Sequence, residues 1–140
     1  MKALNNILVI SADETFLERL PSIFAKSDYH VCSCYGDACE LLESGFLPEL
    51  FLVDLRLPEK TGAETLHLLQ KKLQPINIPG IIITDNDRLV LYSQSRAPAL
   101  LGLISKSGDE SSIYERIKKL WDDYQVLIVD GEVVKEMELI

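Results

Sequence analysis

Three polar residues come at or just beyond the ends of short apolar runs. Asp54 and Thr84 each come directly after such a run, and Lys106 comes two residues after a third. Neighbouring parallel strands end side by side, so a carboxylate, a hydroxyl and an ammonium group can meet in one pocket. This trio suits a phosphoryl group, because the aspartate accepts it while the hydroxyl and the ammonium bind its oxygens.

The elements that must position these residues are five apolar runs of strand length, separated by amphipathic stretches. The runs are Ile7–Ile10, Val31–Cys34, Leu50–Val53, Gly80–Ile83 and Leu101–Ile104. Such runs are typical of strands buried on both faces of a parallel sheet. Their strict alternation with helices predicts a right-handed, doubly wound α/β fold in three layers, with function at the carboxyl ends of the strands.

The stretches between the runs carry apolar residues at helical spacing. The four clearest stripes are Phe16, Leu20, Ile23 and Phe24; Ala38, Leu41 and Leu42; Leu66, Leu69 and Leu73; and Ile113, Ile117, Leu120, Trp121 and Tyr124. A weaker fourth helix, around Arg88–Ser93, is cut short before Pro98. Ser112 with Glu115 predicts a capping box at the start of the fifth helix.

The pattern changes after Tyr124. The segment Val126–Val134 has two β-branched runs separated by Asp130-Gly131, which indicates a hairpin. We therefore expect one domain over residues 1–124 and a C-terminal extension over residues 125–140. The extension is either a β-hairpin or the start of a severed output module.

Composition limits the class of protein. The 140 residues, 47% hydrophobic and 26% charged, suit one domain with a core. A net charge of −8 disfavours direct binding to nucleic acid. No apolar run approaches the roughly 20 residues that span a bilayer, and the N-terminus lacks the apolar region of a secretion signal. We expect a cytoplasmic protein without a membrane partner, with its three cysteines reduced.

Over about residues 5–122 the chain resembles the receiver domain of two-component response regulators. The resemblance rests on Asp54 with the Leu-Arg-Leu-Pro-Glu-Lys-Thr-Gly loop after it, on Thr84 and on Lys106. It implies a flavodoxin-like, CheY-like fold with strand order 2-1-3-4-5. It also implies phosphoryl transfer from a histidine kinase or phosphotransfer protein to Asp54 with a magnesium ion, while Thr84 and Lys106 read the phosphorylated state.

The same resemblance implies how the signal leaves the domain. The family uses the surface of the fourth helix, fifth strand and fifth helix to bind an output domain, a partner protein or a second copy. The aromatic residue that usually stands three positions before the lysine is Leu103 here, and the proline that usually follows the lysine is Ser107. Leucine lacks the hydroxyl and ring face that would couple to the threonine.

The sequence departs from the family after the first strand. Two acids that hold the magnesium ion usually stand there, whereas the gapless match places Ser11 and Ala12 at these positions. The candidate metal ligands are then Asp13, Asp54 and the backbone carbonyl of Arg56. A one-residue slip would bring Asp13 into place, but it would also reverse the two faces of the strand. We therefore expect magnesium binding to be weakened or absent.

Two charged residues beside the pocket each have two interpretations. At about 5 Å and an effective dielectric near 20, Asp85 would oppose each charge of a phosphoryl group by roughly 3 kcal/mol. Alternatively, Asp85 supplies part of the missing metal site. The Arg56 guanidinium either neutralises Asp54 without metal or is a solvated or structural side chain.

Other functions fit the sequence less well. His30, Cys32 and Cys34 lack the paired spacing of a zinc site, so we interpret the cysteines as small buried hydrophobes. An FMN-binding, flavodoxin-type redox carrier shares the architecture, but the loop Ser11–Thr15 has two acids and no glycine to cradle a phosphate. A hydrolase would need a second aspartate where Arg56 stands, and we expect no enzyme.

The sequence therefore predicts an atypical receiver domain with Asp54 as the candidate phosphoacceptor. Two forms of this hypothesis stay open. Asp54 either accepts phosphate weakly, or the chain is a pseudo-receiver, an interaction module that works without phosphorylation.

Overall fold

The computed structural model of the protein describes residues 3–86 and 100–129, and side chains as far as residue 125. The helix predicted around Arg88–Ser93 lies outside these residues. The Asp130-Gly131 turn of the predicted hairpin lies outside them too.

Five parallel strands form one sheet in the order β2-β1-β3-β4-β5. The strands are β1 (Ile7–Ile10), β2 (Tyr29–Cys32), β3 (Leu50–Asp54), β4 (Gly80–Thr84) and β5 (Leu100–Ser105). Every residue of β1, β3 and β4 is buried, as expected for strands covered on both faces. The predicted fold class and strand order are confirmed.

Helices cover both faces of the sheet and make the three layers. They are α1 (Glu14–Leu17), α2 (Leu20–Ile23), α3 (Tyr35–Glu43), α4 (Gly62–Leu73) and α5 (Glu110–Val129). One core cluster joins alternate strand residues to α1, α2 and α5, and the other joins the opposite face to α3 and α4. Among the residues that the structure describes, no helix is long and apolar enough to cross a membrane.

The first two elements after β1 differ from the prediction. The single helix expected over Phe16–Phe24 is wrong, because α1 and α2 are separate short helices and Pro21 lies in the first turn of α2. Proline has no amide proton, so it cannot donate the bond that would continue α1 through this point. The stripe itself is confirmed, since Phe16, Leu20 and Ile23 are all buried in one cluster.

The second strand is shifted from its predicted position. We predicted Val31–Cys34, whereas the last paired residue of β2 is Cys32, opposite Ile10. Cys34 lies beyond the strand at the N-cap of α3. The strand is at the edge of the sheet, so His30 and Val31 are exposed and the apolar pattern marks its position poorly.

The last helix begins earlier and ends later than expected. The Ser112 amide donates to Asp109 Oδ1 at 2.7 Å, so Asp109 caps the helix and the predicted Ser112–Glu115 capping box is wrong. The helix continues to Val129, so residues 126–129 are helical and not the first arm of a hairpin. Adding a residue to an existing helix is easier than starting a new element, and this outweighs weak β propensity. The domain boundary at residue 124 stays a prediction.

Candidate functional site

An open cavity of about 430 Å³ lies at the carboxyl edge of the sheet. Residues that follow or end β1, β3, β4 and β5 line it: Ala12, Asp13, Asp54, Leu55, Arg56, Leu57, Pro58, Thr84, Asp85 and Lys106. The fold therefore brings Asp54, Thr84 and Lys106 to one cavity, as the order of the strands predicts.

Asp54 is the last residue of β3 and is only 4% exposed. Its Oδ2 accepts a hydrogen bond from Ser11 Oγ at 2.8 Å and another from Lys106 Nζ at 2.7 Å. Its Oδ1 accepts only a weak bond, from the Arg56 amide at 3.4 Å, among the contacts that the described residues make. One carboxylate oxygen is thus held by the protein, and the other is less engaged.

Lys106 joins the two carboxylates of the site. Its Nζ lies 2.7 Å from Asp54 Oδ2 and 2.8 Å from Asp13 Oδ2, and 5.4 Å from the centre of the Phe16 ring. Burial alone would lower the pKa of Lys106, but the hydrogen bonds to Asp13 and Asp54 outweigh burial and raise it above its usual range. The side chain is therefore an ammonium ion at neutral pH, shared between two anions.

Ser11 lies beside Asp54 because β1 and β3 pair without a slip. Ile10 pairs with Val53, so the residue after β1 faces the residue that ends β3. The Ser11 amide also continues the β1–β2 ladder by donating to Cys32 O at 3.0 Å. In this register Ser11, and not Asp13, is the residue after β1 that lies beside Asp54. A hydroxyl donor, Ser11 Oγ, therefore lies beside Asp54.

Asp13 reaches the same site by another route. It is the N-cap of α1, where Oδ1 accepts the Phe16 amide at 3.3 Å while Oδ2 accepts from Lys106. The hydrogen bond from Lys106 outweighs burial and lowers the pKa of Asp13 below its usual value of 3.8. Asp13 is therefore both the N-cap of α1 and an ion-pair partner of Lys106.

Thr84 ends β4 and Asp85 follows it, and the two side chains differ in exposure. Thr84 is buried, and its Oγ1 accepts the Asn86 amide at 3.0 Å, so its hydroxyl proton points elsewhere. The Lys106 amide donates to Thr84 O at 2.8 Å and fixes the end of β5 against β4. Asp85 is exposed on the same cavity. Its charge therefore faces any anion that binds there.

The loop after Asp54 is a small folded unit. Arg56 and Thr61 form an isolated antiparallel bridge, and the Gly62 amide donates to Leu55 O at 2.8 Å. A β-carbon at position 62 would overlap the backbone carbonyl of Asp54, which explains the glycine there. The Arg56 side chain is exposed, and the ion pair to Asp54 comes from Lys106. The hypothesis that the Arg56 guanidinium neutralises Asp54 is wrong.

The cysteines and His30 do not form a metal site. No group of three or more His, Cys, Asp or Glu side chains in residues 3–86 and 100–125 is arranged to hold a metal ion. His30 packs against Phe46 with ring centres 4.4 Å apart. Cys32 is buried, as expected for a small hydrophobe, whereas Cys34 and Cys39 are half-buried.

Two arginines hold the loop that carries Lys106, and sequence reasoning missed both. Arg19 donates to Lys106 O at 2.9 Å and to Gly108 O at 2.6 Å. Arg116 donates to Ser107 O at 2.6 Å. No local signal marks Arg19, because its partners are backbone carbonyls 87 and 89 residues away in the sequence.

Solved structures share this fold at low sequence identity. A CheY-like receiver domain protein from Methanospirillum hungatei is 23% identical, with a TM-score of 0.64 over 88% of this chain and 98% of that chain. The response regulator TrrA from Thermotoga maritima, in complex with Mg²⁺-BeF, is 21% identical, with a TM-score of 0.65 over 84% and 99%.

The N-terminal domain of a three-domain response regulator/sensory box/GGDEF protein from Carboxydothermus hydrogenoformans has a TM-score of 0.68. It is 17% identical and covers 87% of this chain and 98% of that chain. At these identities the likeness shows the fold alone. No curated protein matches the chain.

The family follows from the sequence itself. A sequence model of the response regulator receiver domain matches residues 7–118, which is most of the chain and spans Ser11, Asp54, Thr84 and Lys106. The chain therefore belongs to the receiver domains of response regulators in two-component signalling.

Proposed function

We propose that Asp54 accepts a phosphoryl group and that this receiver domain does so weakly. One observation carries the proposal: Asp54 lies buried at the cavity with Oδ2 held by Ser11 and Lys106, while Oδ1 is less engaged. A nucleophile needs a fixed orientation and an oxygen that can reach the reacting atom.

In the proposed transfer, Asp54 Oδ1 forms the new bond to phosphorus. The bond between phosphorus and the imidazole nitrogen of the donor histidine breaks, and its electron pair stays with that nitrogen. The Lys106 ammonium lies at the same cavity and can neutralise charge on the transferred oxygens. The Thr84 hydroxyl has a proton to donate to one of them.

Receiver domains generally bind Mg²⁺, and the oxygen donors here suit an ion held by few charges. Asp54, Asp13 and the backbone carbonyl of Arg56 would hold it, since hard cations take oxygen ligands. When bound, the ion neutralises negative charge on the transferring group. Lys106 bonds both carboxylates, so a cation must compete with an ammonium ion that is already in place. We therefore infer low affinity.

The exposed carboxylate of Asp85 also supports weak acceptance. It lines the cavity with Asp54, and a phosphoryl group adds about −1.5 to −2 charges at neutral pH. Like charges in one cavity repel, and water at this open site reduces the effect without removing it. Replacing Asp85 by a neutral side chain should therefore favour phosphorylation.

A second candidate function rests on Lys106. Because its ammonium already bridges Asp13 and Asp54, part of the negative charge of the site is balanced without metal or phosphate. A receiver of this kind could act as a pseudo-receiver that binds its partner in one fixed conformation. In either case we propose a cytoplasmic module without enzyme activity, with a histidine kinase or phosphotransfer protein and an output partner at the surface of β5 and α5.

The deciding experiment is exposure to acetyl phosphate with millimolar magnesium, followed by intact mass measurement. We expect partial addition of one phosphoryl group, none in Asp54→Asn, and more in Asp85→Asn. Asp123→Asn is the matched control, because it removes an equal charge on the exposed face of α5. If wild type and Asp85→Asn both stay unmodified at saturating magnesium, the phosphoacceptor proposal fails and the pseudo-receiver function stands.

A further inference from the structure

The segment after β5 carries Lys106 but has little to hold it by packing. Ser107 and Gly108 are exposed, and Gly108 has a φ of +99°. The last backbone-to-backbone bond to the sheet comes from the Lys106 amide to Thr84 O, and the Ser107 amide then donates to the side chain of Ser105, at the end of β5, at 3.0 Å. The carbonyls that follow lie beyond the end of the strand and need partners from elsewhere.

Arg19 supplies partners for two of these carbonyls. Its guanidinium donates from Nη1 to Lys106 O at 2.9 Å and from Nη2 to Gly108 O at 2.6 Å. Its Nε donates to Glu110 Oε1 at 2.9 Å, which fixes the plane of the fork. The side chain is only 26% exposed. The planar guanidinium group has several donors in fixed directions, so its acceptors must lie in one arrangement. The ammonium group of a lysine would not impose this arrangement.

Arg116 holds the carbonyl between them. Its Nη2 donates to Ser107 O at 2.6 Å, so three consecutive carbonyls each accept from a guanidinium. Ser107 stands where the resemblance leads one to expect a proline. Proline would restrict the backbone covalently, whereas here hydrogen bonds from two arginines restrict it. We call this set of bonds the arginine clamp.

We propose that Arg19, through the arginine clamp, is a positioning residue that holds the Lys106 ammonium between Asp13 and Asp54. Arg19 is the N-cap residue of α2 and follows α1, whose own N-cap is Asp13. One side chain therefore connects the segment that carries Asp13 to the segment that carries Lys106. For phosphoryl transfer the inference rests on the proposed function of Asp54, but the positioning of Lys106 does not.

The test follows the Lys106 ammonium protons by NMR at low temperature. In the wild-type protein they should exchange with water more slowly than those of Lys119, whose side chain is 77% exposed. In Arg19→Gln we expect the Lys106 ammonium protons to exchange with water about ten times faster, because the backbone of Lys106 loses its hydrogen bond from a charged donor. The matched control is Lys118→Gln, which removes an equal charge from a half-buried pair with Asp122 on α5 and should change nothing at Lys106.

Two further measurements separate positioning from loss of folding. Arg19→Lys keeps the charge but not the fork, and we expect a smaller rise in Lys106 exchange with backbone amide exchange in β1 and β3 unchanged. An equal rise in amide exchange across the sheet, or unchanged Lys106 exchange in both Arg19 variants, overturns the proposal. Absence of phosphorylation in the wild type would instead defeat only the proposed function of Asp54, because the NMR readout needs no phosphoryl donor.

Discussion

On the β3–β5 side of the cavity, each polar group is the last residue of a strand or the one after it. Asp54 and Thr84 end their strands, and Lys106 follows directly after β5. On the β1 side the strand is followed by Ser11, and the carboxylate comes from Asp13 at a helix cap. Strand register positions the polar groups of the β3–β5 side, whereas local hydrogen bonds position the carboxylate on the β1 side. The β3–β5 side should therefore tolerate substitution less well than the β1 side.

The most damaging single change on the β3–β5 side should be Lys106→Met. It removes the ammonium between two carboxylates, and the side chain of Asp54 is only 5% exposed. A buried anion without its partner destabilises a fold strongly, so we expect the free energy of unfolding at neutral pH to fall by about 3 kcal/mol. Urea titration measures it.

The control for Lys106→Met is Lys119→Met, which breaks an exposed pair with Asp123 and should lower stability by less than about 1 kcal/mol. Adding Asp54→Asn to Lys106→Met should recover part of the loss, because the unpaired charge is then gone. An equal loss in the two lysine variants would mean that the β3–β5 side depends no more on its ion pair than the surface does.

Gly62→Ala tests the loop that supports Asp54. Its β-carbon would overlap the Asp54 carbonyl, so the start of α4 must move and stability should fall by about 2–3 kcal/mol. Gly36→Ala is the matched control within α3, because the nearest atom would be Cys34 Sγ at 4.0 Å. That variant should be neutral or more stable by about 0.5–1 kcal/mol, since alanine favours helix. Thermal unfolding of both variants tests this, with a clear loss of stability expected in Gly62→Ala and none in Gly36→Ala.

Most of the fold could be predicted because buried strands have a strong apolar pattern. Ile7–Ile10 was located to the residue, and the observed β3 and β4 extend the predicted runs by only Asp54 and Thr84. One failure lies where packing does not set the pattern. The edge strand exposes His30 and Val31, so the sequence misplaced it by two residues.

The residues of the site likewise fall into those that the sequence pattern could locate and those that it could not. Asp54, Thr84 and Lys106 could be found because parallel strands of known order end together. The contact of Ser11 with Asp54 could have been expected from the pairing of Ile10 with Val53, had the hydroxyl been considered as a donor. Arg19 could not be found, because a bond to a backbone carbonyl leaves no trace in the partner's residue type.

Ser11→Asp tests whether the β1 side limits metal binding. It places an acid beside Asp54, and added negative charge should raise magnesium affinity roughly tenfold, equivalent to about 1.4 kcal/mol. Isothermal titration calorimetry measures the affinity. Ser11→Ala is the control, since it removes the hydrogen bond to Asp54 without adding charge. It should lower stability by about 1.5 kcal/mol and leave the magnesium affinity unchanged. Unchanged affinity in Ser11→Asp would mean that Asp13 already serves as the second carboxylate.

The smallest expected effect concerns the link between the two sides, the Arg19–Glu110 pair. The hydrogen bond from Arg19 lowers the pKa of Glu110 below its usual value of 4.5. A lowered pKa contributes stability that is present above pH 4.5 and is lost as the pH falls through the folded-state pKa. Wild type should therefore unfold at a higher temperature than Glu110→Gln at neutral pH, and the gap should close in acid. In an Arg19→Gln background the same substitution should show no pH-dependent gap, because the ionised glutamate then has no guanidinium to bind. A gap that persists in acid would show that Glu110 acts through packing and not through its charge.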